Sequence, residues 1–375
     1  MNSKINKFRV IFFLPVFSYG GAAESIVKLS KFLKKHNFSV KLISIGKNVH
    51  KKYLTKIGCD VYEINTKKAI FSILKLRSII KNEIRKNYIK TILISNIHYA
   101  NVITKISCFG LKHIKIIFTE RSSLHELNVY TNFIRYVKNK IIFVLAKKLY
   151  KHAHLVIANS KYEKEYIRKN FNVKRIKYIY PPSIEKINRI NIYDKIYKKK
   201  KHKKKIIYVG NLFREKGPIT ILKALSKITD KYNLSLEIFG NGYEEKNLKN
   251  FIKKNKLSKN ILFKGFVKDK SKIFKNKDLF INASWYEGLS NALVQSINNN
   301  IFPICSKSPG GNLEVIKYGK LGLTFQPKDY LDLRKKISLY FTKNLKLNQK
   351  VRLNHLNNFT LKKSNLEYLK ILKNL

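Results

Sequence analysis

Lys216 closes the segment Gly210-Asn211-Leu212-Phe213-Arg214-Glu215-Lys216-Gly217, a glycine-bounded loop between the apolar run starting at Ile206 and a helix start signalled by Pro218. Glycines let a backbone approach a ligand closely, a helix N-terminus favours negative charge, and an ammonium adds a full positive one, so the loop suits a phosphate. A tight turn with a surface lysine is about as well supported by spacing alone. The second segment, Ser284-Trp285-Tyr286-Glu287-Gly288-Leu289-Ser290-Asn291-Ala292-Leu293-Val294-Gln295, leaves a strand and runs into a helix. A carboxylate just ahead of a helix stabilises its positive end in any protein, which is the ordinary reading of Glu287. Gly310-Gly311 is equally a plain turn or a phosphate cradle. His98, His125, His152 and His154 show neither metal spacing nor a nucleophile partner, and the last two, just before a strand, read as structural. Cys59, Cys108 and Cys305 are far apart, without CxxC or Cys/His spacing, so neither a disulfide framework nor a zinc site is expected, and a reduced cytoplasm fits.

The elements that must position these loops follow from the hydrophobic pattern. Phe8 to Leu14 is an apolar run of strand length, followed by Gly20-Gly21 and then Ile26, Leu29, Phe32 and Leu33 at helical spacing. Further strands are predicted at Val40–Ile45, Thr91–Ser95, Ile114–Thr119 and Leu155–Asn159, alternating with helix-length segments, which implies a parallel sheet. The pattern restarts at Ile206 and gives strands at Leu234–Phe239, Ile261–Lys264, Leu279–Asn282 and Phe302–Cys305. The reading is α/β: an N-terminal doubly wound, Rossmann-like domain over 1–187, a lysine-rich connection over 188–205, a second such domain over 206–355, and a closing helix over 356–375 that packs back toward the first domain. Ligands of such sheets sit at the carboxyl ends of the strands, where both segments fall.

Composition bounds the partners. The chain has 375 residues, 44% of them hydrophobic, enough for two packed cores, and a formal charge of +57 from 79 Lys+Arg against 22 Asp+Glu. Lysine spread over every presumed solvent face beside many Asn and Ile reads first as compositional bias, next as affinity for an anionic membrane surface, and last as nucleic-acid binding, since Tyr and Phe fall inside apolar patterns and not in a basic-aromatic stripe. The segment Phe133–His154 is basic and apolar enough to lie on a membrane, although a helix packed on the sheet is the favoured reading. The opening has the basic start and apolar run of a secretory signal, but Pro15 breaks it and a helix pattern follows at once, so a buried first strand is expected. No run approaches the roughly 18 apolar residues of a membrane span, and a cytoplasmic location, at most at the cytoplasmic face of the inner membrane, is expected.

Gly20-Gly21, Ala158-Asn159-Ser160-Lys161, Tyr180-Pro181-Pro182, the Gly210–Gly217 loop, the Ser284–Ser296 segment and Gly310-Gly311-Asn312-Leu313-Glu314 occur in an order and spacing that resembles the retaining glycosyltransferases of family 4, the group 1 set. The resemblance spans nearly the whole chain and implies the GT-B fold, two doubly wound Rossmann-like domains facing a central cleft. It implies transfer of a hexose-type sugar from a UDP- or GDP-sugar to a glycan or lipid-linked acceptor in surface polysaccharide or lipopolysaccharide synthesis, with no cofactor and no metal. Glu287 would then hold the donor sugar's hydroxyls and Lys216 would neutralise the leaving diphosphate. Backbone amides of Gly288, Leu289, Ser290, Asn291 and Ala292 would lie near sugar and diphosphate, Phe266 and Val267 beside the base, and Gly20-Gly21 opposite the diphosphate.

Three positions depart from the family pattern. Gln295 stands where a second Glu is common and can still bond ribose hydroxyls. Asn211 stands where Arg is frequent, with Arg214 three residues on able to reach the same anion. Thr119-Glu120-Arg121-Ser122 replaces a common His after the fifth strand, so a donor-sugar contact there falls to Glu120 or Arg121. The rival readings are an inactive relative that binds a nucleotide sugar without turnover and, behind it, a nucleic-acid binder; the expected partners otherwise include no specific nucleic acid.

Overall fold

The computed structural model describes residues 8–66, 69–86, 88–130, 133–189 and 204–375. Two compact units share the chain, Met1–Pro181 with Ser364–Leu375 and Pro182–Lys363. The first holds strands β1 (Phe8–Phe13), β2 (Ser39–Ser44), β3 (Asp60–Glu63), β4 (Lys90–Asn96), β5 (Ile114–Thr119), β6 (Leu155–Ala158) and β7 (Ile176–Tyr178), in the order β3-β2-β1-β4-β5-β6-β7. All its pairings are parallel. Parallel strands are covered on both faces, which is why β1 reads as an unbroken apolar run: Val10 and Phe12 enter one core and Ile11 and Phe13 the other. The helix Gly21–Lys35 covers the first face, joined by Tyr368, Leu369, Ile371 and Leu372 of the C-terminal helix Leu361–Asn374.

The second unit repeats the plan with β8 (Lys204–Val209), β9 (Leu234–Phe239), β10 (Ile261–Gly265), β11 (Leu279–Asn282), β12 (Phe302–Ser306) and β13 (Leu323–Phe325), ordered β10-β9-β8-β11-β12-β13 and again parallel. In each sheet the order reverses beside the first strand, at β1/β4 and at β8/β11. Crossover helices leave such a point toward opposite faces, so the loops after those strands frame an open crevice.

The differences from the sequence reading are at edges. β3, β7 and β13 were not expected; each has only three or four residues, too few for a periodicity signal. Segment Phe133–His154 is the helix Phe133–Leu149 followed by a turn at Tyr150–His152. Most of the connection expected at 188–205 lies outside the described residues, and its end, Lys204-Lys205, already belongs to β8. Residues after Pro181 go with the second unit because Ser183 and Ile184 donate backbone bonds to Phe359 O, and the buried Arg352 donates to the carbonyls of Asn188, Ile297 and Asn298.

The first sheet also buries a cation. Arg9, 1% exposed on β1, donates to Glu83 Oε2 at 2.8 Å, Ser39 Oγ at 2.6 Å and Asp60 Oδ2 at 2.6 Å. Burial pushes the Glu83 carboxyl upward, but Lys86, Arg9 and Lys41 outweigh it and hold the group below its ordinary value. A depressed carboxyl contributes stability that is present above its unfolded value and lost as pH falls through the folded one. Glu83→Leu, which removes the buried carboxylate and leaves the Arg9 guanidinium only Ser39 and the exposed Asp60, is expected to cost about 3 kcal/mol of unfolding free energy in urea denaturation at neutral pH, with the difference shrinking below about pH 4.

Candidate functional site

The second unit's crevice is framed by the loops after β8 and β11. Leaving β8, the chain runs through Gly210–Phe213 into a single turn at Arg214–Lys216, and Gly217 then takes φ +67° ahead of the helix Pro218–Leu225. A Cβ at Gly217 would stand 2.1 Å from Ala283 O, so glycine is what lets the first loop press against the second. Leaving β11, Trp285 N donates to Glu215 O at 2.8 Å and locks the loops together. The result is a contact between two residues to which the sequence reading gave separate roles: Lys216 Nζ lies 2.8 Å from Glu287 Oε2, which also accepts from Ser284 Oγ at 2.9 Å. The two side chains keep 25% and 19% of their surface, so the pair is half-sunk and open to a ligand.

Gly310-Gly311 belongs to the same construction. Glu287 N donates to Pro309 O at 3.0 Å and Gly311 N to Gly288 O at 2.8 Å, a short ladder that fixes the Glu287 backbone. At φ +123° a Cβ on Gly310 would fall 1.5 Å from Glu287 O, so any side chain there displaces the carboxylate's own backbone. Behind the ladder is a buried amide network: Asn312 Nδ2 donates to Asn282 Oδ1 at 3.1 Å, Ser290 N to Asn312 Oδ1 at 3.1 Å, and Ser284 N to Asn282 Oδ1 at 3.3 Å.

The helix Asn291–Asn298 starts at this spot. Ser290 Oγ caps it by accepting from Leu293 N at 3.3 Å, and the Asn291 and Ala292 amides of the first turn have no intrahelical acceptor to use. Ser290 is therefore committed to the fold at both its amide and its hydroxyl, and the Gly288 carbonyl is taken up by Gly311 N. Leu289 is buried. Gln295 Nε2 donates to Ser183 O at 3.0 Å and Asn291 Oδ1 accepts from Ser183 Oγ at 2.7 Å, so both side chains tether the segment entering the unit.

Asn211 is exposed, and its carbonyl accepts from the buried Tyr208 hydroxyl at 2.8 Å. Burial, with Glu287 and Glu215 nearby, drives the Tyr208 phenol far upward and keeps it a donor. The Arg214 guanidinium lies 5.8 Å from the Trp285 ring, and Lys328 Nζ 4.2 Å from the same ring. Lys328, from the loop after β13, was not foreseen; nothing in its own segment signals a site, and only the fold brings it to Trp285. Phe266, 57% exposed, and Val267 follow β10, where Gly265 O accepts from Gly240 N at 2.8 Å.

In the first unit Gly20 precedes and Gly21 begins an exposed helix N-terminus; Gly20 has φ −88° and its Cβ would meet Ser18 Oγ at an ordinary 3.5 Å, so neither strain nor crowding demands glycine there. Glu120 is 1% exposed and accepts from Asn101 Nδ2 at 2.8 Å and from the Tyr150 hydroxyl, which withdraws it from the surface. Arg121 beside it is half-exposed, donates to Asn96 Oδ1 at 3.2 Å and lies over the Tyr368 ring. Beside Glu120 stands His98, with Nδ1 3.8 Å from Glu120 Oε2 and Nε2 3.2 Å from Glu126 Oε1. Burial works against protonating His98, but Glu120 and Glu126 outweigh it and raise its pKa. His154, as expected, is structural, its Nδ1 accepting from Ile116 N at 3.0 Å. No group of three or more His, Cys, Asp or Glu able to hold a metal occurs among the described residues.

Residues 190–355 match the family described as glycosyl transferases group 1, and residues 19–182 match glycosyltransferase family 4. The chain belongs to this glycosyltransferase family. An uncharacterized glycosyltransferase of Methanocaldococcus jannaschii is 24% identical over 238 residues, 55% of this chain and 59% of the relative. The Campylobacter jejuni N-acetylgalactosamine-N,N'-diacetylbacillosaminyl-diphospho-undecaprenol 4-alpha-N-acetylgalactosaminyltransferase is 28% identical over 200 residues, 52% of this chain and 53% of that one. The chain thus spans little more than half the length of these curated relatives. Among solved structures, Anabaena HepE in complex with UDP superposes with a TM-score of 0.79 at 16% identity, covering 98% of this chain and 100% of the other, which places the fold as GT-B.

Two stability tests follow from this geometry. Gly310→Ala is expected to lower the unfolding free energy of the chain by about 2–4 kcal/mol in denaturant titration, against less than about 1 kcal/mol for Gly20→Ala. Glu163, fully buried at the start of the helix Lys161–Phe171, has its carboxyl pushed up to about 8 by burial, which the Ser123 hydroxyl and Leu124 amide only partly offset. The folded state then keeps a proton that the unfolded chain releases near pH 4.3, so this stabilisation is full below about pH 4, declines as pH rises, and is gone above about pH 8. Glu163→Gln should flatten that slope and raise stability at pH 9 by on the order of 2–4 kcal/mol in urea melts.

Proposed function

We propose that this glycosyltransferase moves a hexose-type sugar from a nucleoside-diphosphate sugar to a glycan or lipid-linked acceptor, with retention at the anomeric carbon. The observation that carries the reading is the Lys216–Glu287 pair, 2.8 Å apart on the two loops flanking the β8/β11 crevice, with Glu287 just ahead in sequence of the helix Asn291–Asn298. When the bond from the sugar's anomeric carbon to the diphosphate breaks, negative charge grows on the departing phosphate oxygen. A fixed ammonium and a helix N-terminus stabilise that charge more in the transition state than in the ground state. Arg214 adds a second cation within the same loop, and the chemistry assigned to these residues requires no metal. The carboxylate of Glu287 accepts hydrogen bonds, so when a sugar enters it can exchange the ammonium of Lys216 for sugar hydroxyls while Lys216 turns to phosphate.

Uridine is the favoured base, because the Anabaena neighbour is described in complex with UDP; GDP-sugars are the alternative. A lipid-linked acceptor is favoured by the name of the Campylobacter relative, whose acceptor is diphospho-undecaprenol-linked. That would place the activity in surface polysaccharide or lipopolysaccharide assembly at the cytoplasmic face of the inner membrane. No helix among the described residues is long and apolar enough to cross a membrane.

A thermal-shift series with UDP, GDP and their hexose conjugates, run beside release of nucleoside diphosphate in the presence of undecaprenyl-diphosphate sugar acceptors, tests the reading. One nucleotide should raise the melting temperature, and Lys216→Ala should remove most of that shift. Glu287→Ala should leave nucleotide binding largely intact yet lower turnover by roughly 10²-fold or more, the scale expected for one preorganised polar contact. A nucleotide-dependent shift with no turnover on any acceptor would instead support a binding protein that has lost activity through Asn211 and Gln295.

A further inference from the structure

The helix Phe133–Leu149 reverses the usual arrangement of a surface helix. Its inward side packs Ile142, Phe143, Leu145 and Leu149 against the core, as a helix covering a sheet must. Its outward side should then be polar. Instead Phe133 is 70% exposed, Ile134 82%, Val137 40%, Ile141 54% and Val144 50%. Their spacing of three and four residues lines them up on one face, and at about 100° per residue Lys138 falls on one flank of that stripe and Lys140 and Lys147 on the other. Lys148 lies at its C-terminal end, and the helix contains no Asp or Glu.

We propose that this helix is the docking surface for an anionic lipid bilayer, lying parallel to the membrane with the Ile134–Val144 stripe in the acyl boundary and the flanking lysines at the headgroups. An apolar strip of this kind on a water-facing helix needs a cover. A second copy is a poor one, because a two-fold contact through the same stripe sets lysine flank against lysine flank without a carboxylate from either helix. A bilayer carrying negative headgroups supplies both complements: hydrocarbon for the isoleucines, valines and phenylalanine, and phosphates within reach of the long lysine stems. The proposal does not rest on the transfer chemistry, since none of these residues lies in the second unit.

Co-sedimentation of the full chain with two kinds of vesicle tests it: phosphatidylcholine alone, and phosphatidylcholine mixed in equal parts with phosphatidylglycerol, each at physiological and at high salt. The protein is expected to pellet with the mixed vesicles at physiological salt and far less with neutral ones. Ile134→Glu/Ile141→Glu should weaken the mixed-vesicle binding roughly tenfold or more with an unchanged melting temperature. If the glutamates lower the melting temperature, Ile134→Ser/Ile141→Ser reads the same effect without added charge. Binding that survives both double variants would overturn the proposal in favour of diffuse attraction to the chain's lysines. Absence of vesicle binding, or a dimer on size exclusion that the same variants dissolve while vesicles are ignored, would also overturn it.

Discussion

An ammonium and a carboxylate 2.8 Å apart on separate loops stay useful only if neither loop can drift, and most of the local structure of the second unit serves that end. The first loop is pinned by the Gly217 contact with Ala283 O and by Trp285 N on Glu215 O. The second is pinned by Gly310 against Glu287 O and by the Asn282–Asn312–Ser290 amide network. These are backbone and buried amide contacts, whose geometry is stiff, so the two charged side chains inherit a fixed separation of their roots. Half-exposed, the pair keeps enough contact with water to exchange partners.

Much of this was legible in the sequence because it depends on short-range signals. Ten of the thirteen strands are anchored by apolar runs that match within one or two residues, and the restart at Ile206 marked the second unit. Glycine spacing around Lys216 and Glu287 pointed to loops that approach something closely, and what they approach proved to be each other as much as any ligand. The roles of Gly310 and Asn312 were less legible, because a glycine pair is a turn until the partner strand of its ladder is known. Lys328 carried no signal at all, since its place beside Trp285 is set by β13, an edge strand of three residues.

The chain's departures from the family pattern also look different in three dimensions. Glu120 reads in sequence as a spare carboxylate after β5, yet it is buried among Asn101, Tyr150 and His98 and helps fix the β5–β6 side of the first unit. Gln295 reads as a weakened ribose contact, yet its amide nitrogen holds Ser183 O, a bond that a carboxylate could not donate. A glutamine there therefore has a structural reason of its own.

The charge of +57 gains a physical shape from the same accounting. Of only 22 acidic residues, Glu83, Glu120, Glu163, Glu215 and Glu314 are buried, and Glu287 is half-buried in the site. Acids taken inward cannot neutralise lysines outside, so the surface is more positive than the totals alone imply. Such a field concentrates anions near the protein, but it is screened within a Debye length of about 8 Å at physiological salt, and no scattered lysine can substitute for one placed at a leaving phosphate. The exposed lysines therefore account for general attraction, whereas under the proposed function Lys216, on a loop that glycine and backbone contacts fix, would supply the discrimination.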